Sequence, residues 1–205
     1  KGTIVVSRIE HEAVTSWMPF LKKQGWNIVK IKAKGGFVTP EELYSSLTPD
    51  TKLVAIMAVN NVTGAIEDTK GLVECVRKYE KENGRKILFF SDSVQALGKT
   101  GLDLKGSDVD GASFSAHKIN GPRGVGLLYV KNPDIIRPIA PAGGQERGHR
   151  GGTENLPAIA AFDEALTEWM DNRDKDEERI GRYNTMVRDA LTKLGLEIIS
   201  PENAS

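Results

Sequence analysis

Short apolar runs recur along this 205-residue chain with amphipathic segments between them, and that alternation limits the possible folds more than any other feature. Runs at Thr3–Val6, Ile28–Ile31, Leu53–Val59, Ile87–Phe90, Ala112–Phe114 and Gly126–Val130 read as strands. Most are apolar throughout, as strands covered on both faces are. Between them, Glu12–Gln24, Thr39–Leu47 and Thr69–Asn83 carry helical periodicity. Thr39, Pro40 and Glu42 mark one helix start directly: a threonine cap, a proline suited to the first turn, and a glutamate three residues on that closes a capping box. Strands alternating with helices predict an α/β fold, a mostly parallel sheet with helices on both faces.

The last quarter differs. Leu156 to Leu194 reads as one long helical region interrupted by the charge run Asp171–Arg179, itself a solvated face rather than a binding patch. Ile180, Tyr183, Val187, Ala190, Leu191 and Leu194 recur at helical spacing and are expected to bury against a neighbour. Leu196–Ile199 is expected to be a further strand, opening another layer. These readings divide the chain into a large domain over 1–195 and the beginning of a smaller one over 196–205.

Composition narrows the function by exclusion. The chain has 28 basic and 28 acidic side chains, so no net field draws it to nucleic acid or an anionic membrane. No apolar run is long enough to cross a bilayer and no secretory signal pattern opens the sequence, which makes a cytoplasmic location the expectation. The single cysteine, Cys75, allows no internal disulfide, and with only three histidines no metal-ligand spacing is present. Cys75 sits on the apolar side of its helix and is expected to be a buried structural thiol.

In open α/β sheets, ligands bind beyond the carboxyl ends of the strands, so a pocket should show as polar residues directly after successive apolar runs. Four such places exist: Ser7 to His11, Asn60 with Asn61, Asp92 with Gln95, and Ser115, His117 and Lys118. Alone, an Asn-Asn pair is also a turn, and a lone aspartate also a helix cap. Together the four define one rim. Lys118 stands out because it lies between an apolar run and a turn containing Gly121, Gly124 and Gly126, where backbone can approach a ligand closely. A lysine amine becomes a nucleophile for imine formation when burial or a nearby cation lowers its pKa.

The segment from Ser113 to Gly126, SFSAHKINGPRGVG, closely resembles the cofactor-lysine segment of the cysteine desulfurases, enzymes of the class V aminotransferase group. A second block from Gly143 to Asn155, GGQERGHRGGTEN, is similar to that family's glycine-rich segment ending in Gly-Thr. The resemblance implies pyridoxal 5'-phosphate as cofactor, L-cysteine as substrate, a sulfur-acceptor protein as partner, and a homodimer. It also implies roles. Lys118 would carry the cofactor as a Schiff base, and His11 would stack over the ring and move protons on bound substrate. Asp92 would keep the pyridine nitrogen protonated, Gln95 would donate to the phenolate oxygen, and Asn61 would lie near the ring oxygen and substrate carboxylate. Ser115 and His117 would hold phosphate, and Thr153 would reach across a dimer interface to the other subunit's phosphate. The sequence departs from the pattern at Val62, where the family commonly has glutamate, and at Phe90 and Ser91, where it usually has a histidine. The family's upstream phosphate-binding turn and its nucleophilic cysteine are both expected to lie outside these residues. Within the group, a selenocysteine lyase or another class V aminotransferase fits the same motifs, as does a non-catalytic scaffold of the same fold.

Overall fold

The computed structural model describes residues 1–140, 143–202 and 204. Six strands form one sheet: β1 (Thr3–Ser7), β2 (Asn27–Ile31), β3 (Thr51–Ala55), β4 (Leu88–Asp92), β5 (Gly111–Ser115) and β6 (Gly126–Val130), in the order β2-β1-β3-β4-β5-β6. The first five run parallel, and β6 pairs antiparallel with β5 from Gly111–Val130 to Ser115–Gly126. The helices are α1 (Glu12–Thr15), α2 (Trp17–Lys23), α3 (Pro40–Ser46), α4 (Thr69–Asn83) and α5 (Leu156–Lys193). This is the α/β architecture with a mostly parallel sheet that the alternation predicts.

Strand parity sends successive side chains to opposite faces. Val5, Val54 and Phe89 face α3 and α4, where Leu43, Leu47, Leu72, Val73 and Val76 complete the main core. Ile4, Val6 and Ala55 face the other way and pack with Met18 of α2. Ala112, Phe114 and Ala116 pack with Phe162 and Ala165 at the start of α5. Every residue of β1 is buried, as a strand covered on both faces requires.

The sequence expectations fail at four points. The single helix over Glu12–Gln24 is two, broken at Ser16, because Pro19 cannot donate to the carbonyl of Thr15 and its ring crowds that oxygen. The charge run does not interrupt α5, which continues through it for 38 residues. Arg173 pairs with Glu177 at 2.9 Å and Arg179 with Asp176 at 2.8 Å on that solvated face. The apolar positions beyond it do not bury: Ile180, Tyr183, Val187 and Leu194 are 43, 52, 57 and 74% exposed. Leu196–Ile199 forms no strand and pairs with none of the six strands. Instead the tail is held by Arg188, which donates to the carbonyls of Ser200 and Pro201, while the Ser200 hydroxyl donates to the carbonyl of Thr63 at 2.5 Å.

Candidate active site

β2 and β3 lie on opposite sides of β1, so the connections leaving β1 and β3 separate, and a crevice opens at the carboxyl ends of these strands. A cavity of about 570 Å³ occupies that place on the α2 side of the sheet. It gathers His11, Asn61, Asp92, Gln95, Ser115, His117 and Lys118 from four separate connections. Its apolar wall comes from Leu53, Ala55, Met57, Phe90 and Trp17. Thr153 does not join them. It is exposed in the irregular stretch before α5, which follows a 3-10 turn at Gln145–Gly148 where Glu146 and Arg147 take φ of 49° and 56°.

Asp92 is the last residue of β4 and is only 7% exposed. Its Oδ1 accepts from Val94 N–H at 3.1 Å and from the Ser113 hydroxyl at 3.4 Å, while Oδ2 has no protein partner among the described residues. Parallel register sets Ser113 directly beside Asp92. Lys118 ends the 3-10 turn Ala116–Lys118 that follows β5. That turn is closed by Gly121 N–H donating to the Ala116 carbonyl at 2.9 Å. A Cβ at Gly121 would lie 2.9 Å from both the Cβ and the carbonyl oxygen of Ala116, so only glycine allows this approach. Gln95 contacts Lys99 through its side-chain oxygen. Burial, with the charge of Lys118 next, pushes the Lys99 ammonium pKa down.

His11 caps α1, its Nδ1 accepting from Ala13 N–H at 3.1 Å. The neutral ring therefore carries its proton on Nε2. Asn60, the buried partner of Asn61, folds the next turn: Oδ1 accepts from Val62 N–H and Thr63 N–H, each at 2.9 Å, and Nδ2 donates to the Ile9 carbonyl at 3.0 Å. The β1 and β3 connections are thus tied together beneath the cavity.

Sequence reasoning missed Glu10, Ser113 and Lys99. Ser113 was legible in hindsight, because a serine at every second position of Ser113-Phe114-Ser115 points one polar stripe the same way as Asp92. Glu10 is 8% exposed, and burial pushes its carboxyl up to about 7, aided by the charge of Asp92 and opposed by hydrogen bonds from Ser7 and Met57. Burial likewise raises Glu67 to about 7, against hydrogen bonding from Val38 N–H, with the charges of Glu10 and Asp68 adding to the rise. Cys75 is half-buried rather than enclosed, its thiol 3.2 Å from the Pro40 carbonyl and its pKa raised by burial. It packs against the α3–α4 core, on the face of the sheet opposite the cavity.

A buried carboxylate, an imidazole and a lysine thus meet at the switch point of a mostly parallel sheet, where open α/β folds bind their ligands. The chain belongs to the class-V aminotransferase family, whose model matches residues 1–204. A NifS/IcsS protein homolog of Lactobacillus delbrueckii subsp. bulgaricus is 40% identical over 98% of this chain and 52% of its own length. The cysteine desulfurase IscS of Clostridium botulinum is 36% identical over 97% of this chain and 48% of its own. A solved structure described as a NifS-like protein superposes with a TM-score of 0.93 at 37% identity, covering all of this chain and 55% of that one. The chain spans about half the length of the curated relatives it matches. No helix among the described residues is long and apolar enough to cross a membrane.

Proposed function

We propose that this chain is the cofactor-binding core of a pyridoxal-phosphate-dependent cysteine desulfurase that works as a cytoplasmic homodimer and passes sulfur from L-cysteine to an acceptor protein. The observation that carries this reading is the convergence of seven chemically complementary residues on one cavity at the switch point. The donor set fits pyridoxal 5'-phosphate: a primary amine, a buried carboxylate with one open oxygen, imidazoles, a hydroxyl, and apolar walls suited to a planar ring. When bound, that cofactor supplies an electron sink for charge developing on an amino-acid substrate.

Lys118 would hold the cofactor covalently through Nζ. Asp92, fixed through Oδ1, would offer its open Oδ2 to the ring nitrogen and favour its protonated form. Gln95, oriented by Lys99, would donate to the ring oxygen. Ser115, His117 and the turn backbone would hold the phosphate, and Thr153 would serve the phosphate site of a second subunit. Because Nδ1 of His11 is occupied by Ala13 N–H, this histidine exchanges protons at Nε2. Asn61 would lie near the ring oxygen and the substrate carboxylate. Cys75 lies on the opposite face of the sheet, so the thiolate that accepts sulfur comes from outside these 205 residues. Residues 1–195 then form a large domain and 196–205 lead toward a smaller one.

The test is covalent trapping. Protein incubated with pyridoxal phosphate, reduced with borohydride and digested should carry the adduct on Lys118, and Lys118→Ala should carry none. An adduct on Lys99 or Lys131 instead would overturn the assignment.

A further inference from the structure

We propose that Glu10 is a positioning residue for His11, fastening the β1–α1 connection to the end of β3 so that the imidazole is held in one orientation over the cavity. The role rests on the cofactor-site reading above. It begins with a gap in the sheet. Beyond Ala55 the chain stays extended, and Ile56 N–H and Ala58 N–H donate to the carbonyls of Phe90 and Asp92 in β4. Alternate amides of a strand point to opposite neighbours, so Met57 N–H points toward β1. The β1–β3 ladder, however, has ended at Val6–Ala55, while β1 stays joined to β2 through Arg8 N–H and the Ile31 carbonyl. A buried amide left there without a partner would destabilise the fold.

Glu10 fills the gap. Its Oε1 accepts from Met57 N–H at 2.8 Å and from the Ser7 hydroxyl at 2.5 Å, standing in for the strand that β1 no longer supplies. One residue before it, the Ile9 carbonyl accepts from Asn60. One residue after it comes His11, whose Nδ1 bond to Ala13 N–H starts α1. The catalytic imidazole is therefore mounted on a connection anchored at two consecutive residues. The other oxygen, Oε2, is buried with no hydrogen-bond partner. Such an oxygen suits a carboxylic acid better than a carboxylate, and the neighbouring charges agree. Asp92 from β4 acts on Glu10 as a negative charge, and Arg8, His11 and Glu12 on its own connection are exposed to solvent.

The prediction separates anchoring from mere bulk. Glu10→Gln keeps an oxygen for Met57 and Ser7, whereas Glu10→Ala removes it. The readout is the imidazole nitrogen NMR spectrum of His11 at a pH where the ring is neutral, recorded on the full chain. The parent and Glu10→Gln should show the Nε2–H tautomer alone, and Glu10→Ala should gain a population of the Nδ1–H form as the Ala13 bond is lost. Retention of the single tautomer in Glu10→Ala overturns the role. If Glu10→Ala does not fold, Glu10→Asp, whose oxygen falls one methylene short, takes its place with the same two outcomes. Borohydride trapping in the parent runs beside it: no adduct on Lys118 overturns the cofactor reading, while a tautomer unchanged by every Glu10 variant overturns the positioning role alone.

Discussion

Arg77, in the middle of α4, donates to Asp108 Oδ2 at 3.1 Å, to the Asp108 carbonyl at 3.0 Å, to Glu80 Oε1 at 3.1 Å, to the Ile87 carbonyl at 3.0 Å and to Asp110 Oδ2 at 2.7 Å. It joins one helix to the entrances of β4 and β5, the two strands that deliver Asp92 and Lys118. Replacing it with methionine keeps most of the stem's packing and removes the charge. The carboxylates left behind cannot simply turn to water. The Asp110 and Glu80 side chains are 10 and 14% exposed, and the same oxygens accept from Phe89 N–H at 2.8 Å and Ile87 N–H at 2.6 Å. Removing one partner of a buried ion pair costs about 3–5 kcal/mol. Lys86, 3.4 Å from Glu80 and 3.5 Å from Asp110, offsets part of that. The lower end, about 3 kcal/mol, is the expected loss, or roughly 6–12 °C in melting temperature for a chain of this size. Thermal unfolding followed by circular dichroism measures it, with Lys131→Met as the control because Lys131 pairs with Asp108 at the surface. The control should lose under about 1 kcal/mol. Equal losses in the two variants, or a loss below about 1 kcal/mol for Arg77→Met, would refute the claim that the buried cluster holds these strands.

Asp92→Asn should leave the melting temperature nearly unchanged, since Oδ1 can still accept from Val94 and Ser113, yet, on the proposed desulfurase reading, lower sulfur release from L-cysteine by about 10²-fold or more; a variant that unfolds while its folded fraction stays fully active would make the aspartate structural. Glu67 has its carboxyl raised from 4.5 to about 7, so the folded state holds a proton that the unfolded state has released. That contribution is complete below about pH 4.5 and is lost as pH rises through about 7, with a slope on the order of 1 kcal/mol per pH unit. Glu67→Gln should therefore flatten the fall in stability between pH 5 and 7.5 seen in denaturant titrations, and an unchanged slope would show that this carboxyl does not titrate on unfolding.

The inner strands were legible because burial on both faces leaves an unbroken apolar run, while the edge strands β2 and β6 are largely exposed; the rim was legible because polar residues follow those runs directly. What escaped detection depended on neighbours. The run Leu53–Val59 is one apolar stretch in sequence, yet its ladder with β1 stops at Ala55, and nothing in the run itself records where β1 turns away. Glu10 was invisible for the same reason: a glutamate in a connection reads as solvated until the amide of Met57 is seen to need it. Pro19 did carry a readable signal for the break at Ser16. The apolar stripe on the far half of α5 was real, but periodicity shows only that a face could bury, not that a partner is present to cover it.

α5 acts as a beam. At about 1.5 Å per residue its 38 residues extend roughly 57 Å. It is gripped near its start, where Phe162 and Ala165 enter the core beside the turn of Lys118. Its far end is moored through Arg188 and the tail to the Thr63 carbonyl. Thr63 sits in the turn folded by Asn60, which in turn grips Ile9. A load applied to the exposed middle of the helix is thus shared between two supports, one packed beside the turn that carries Lys118 and the other in the turn that follows Asn61.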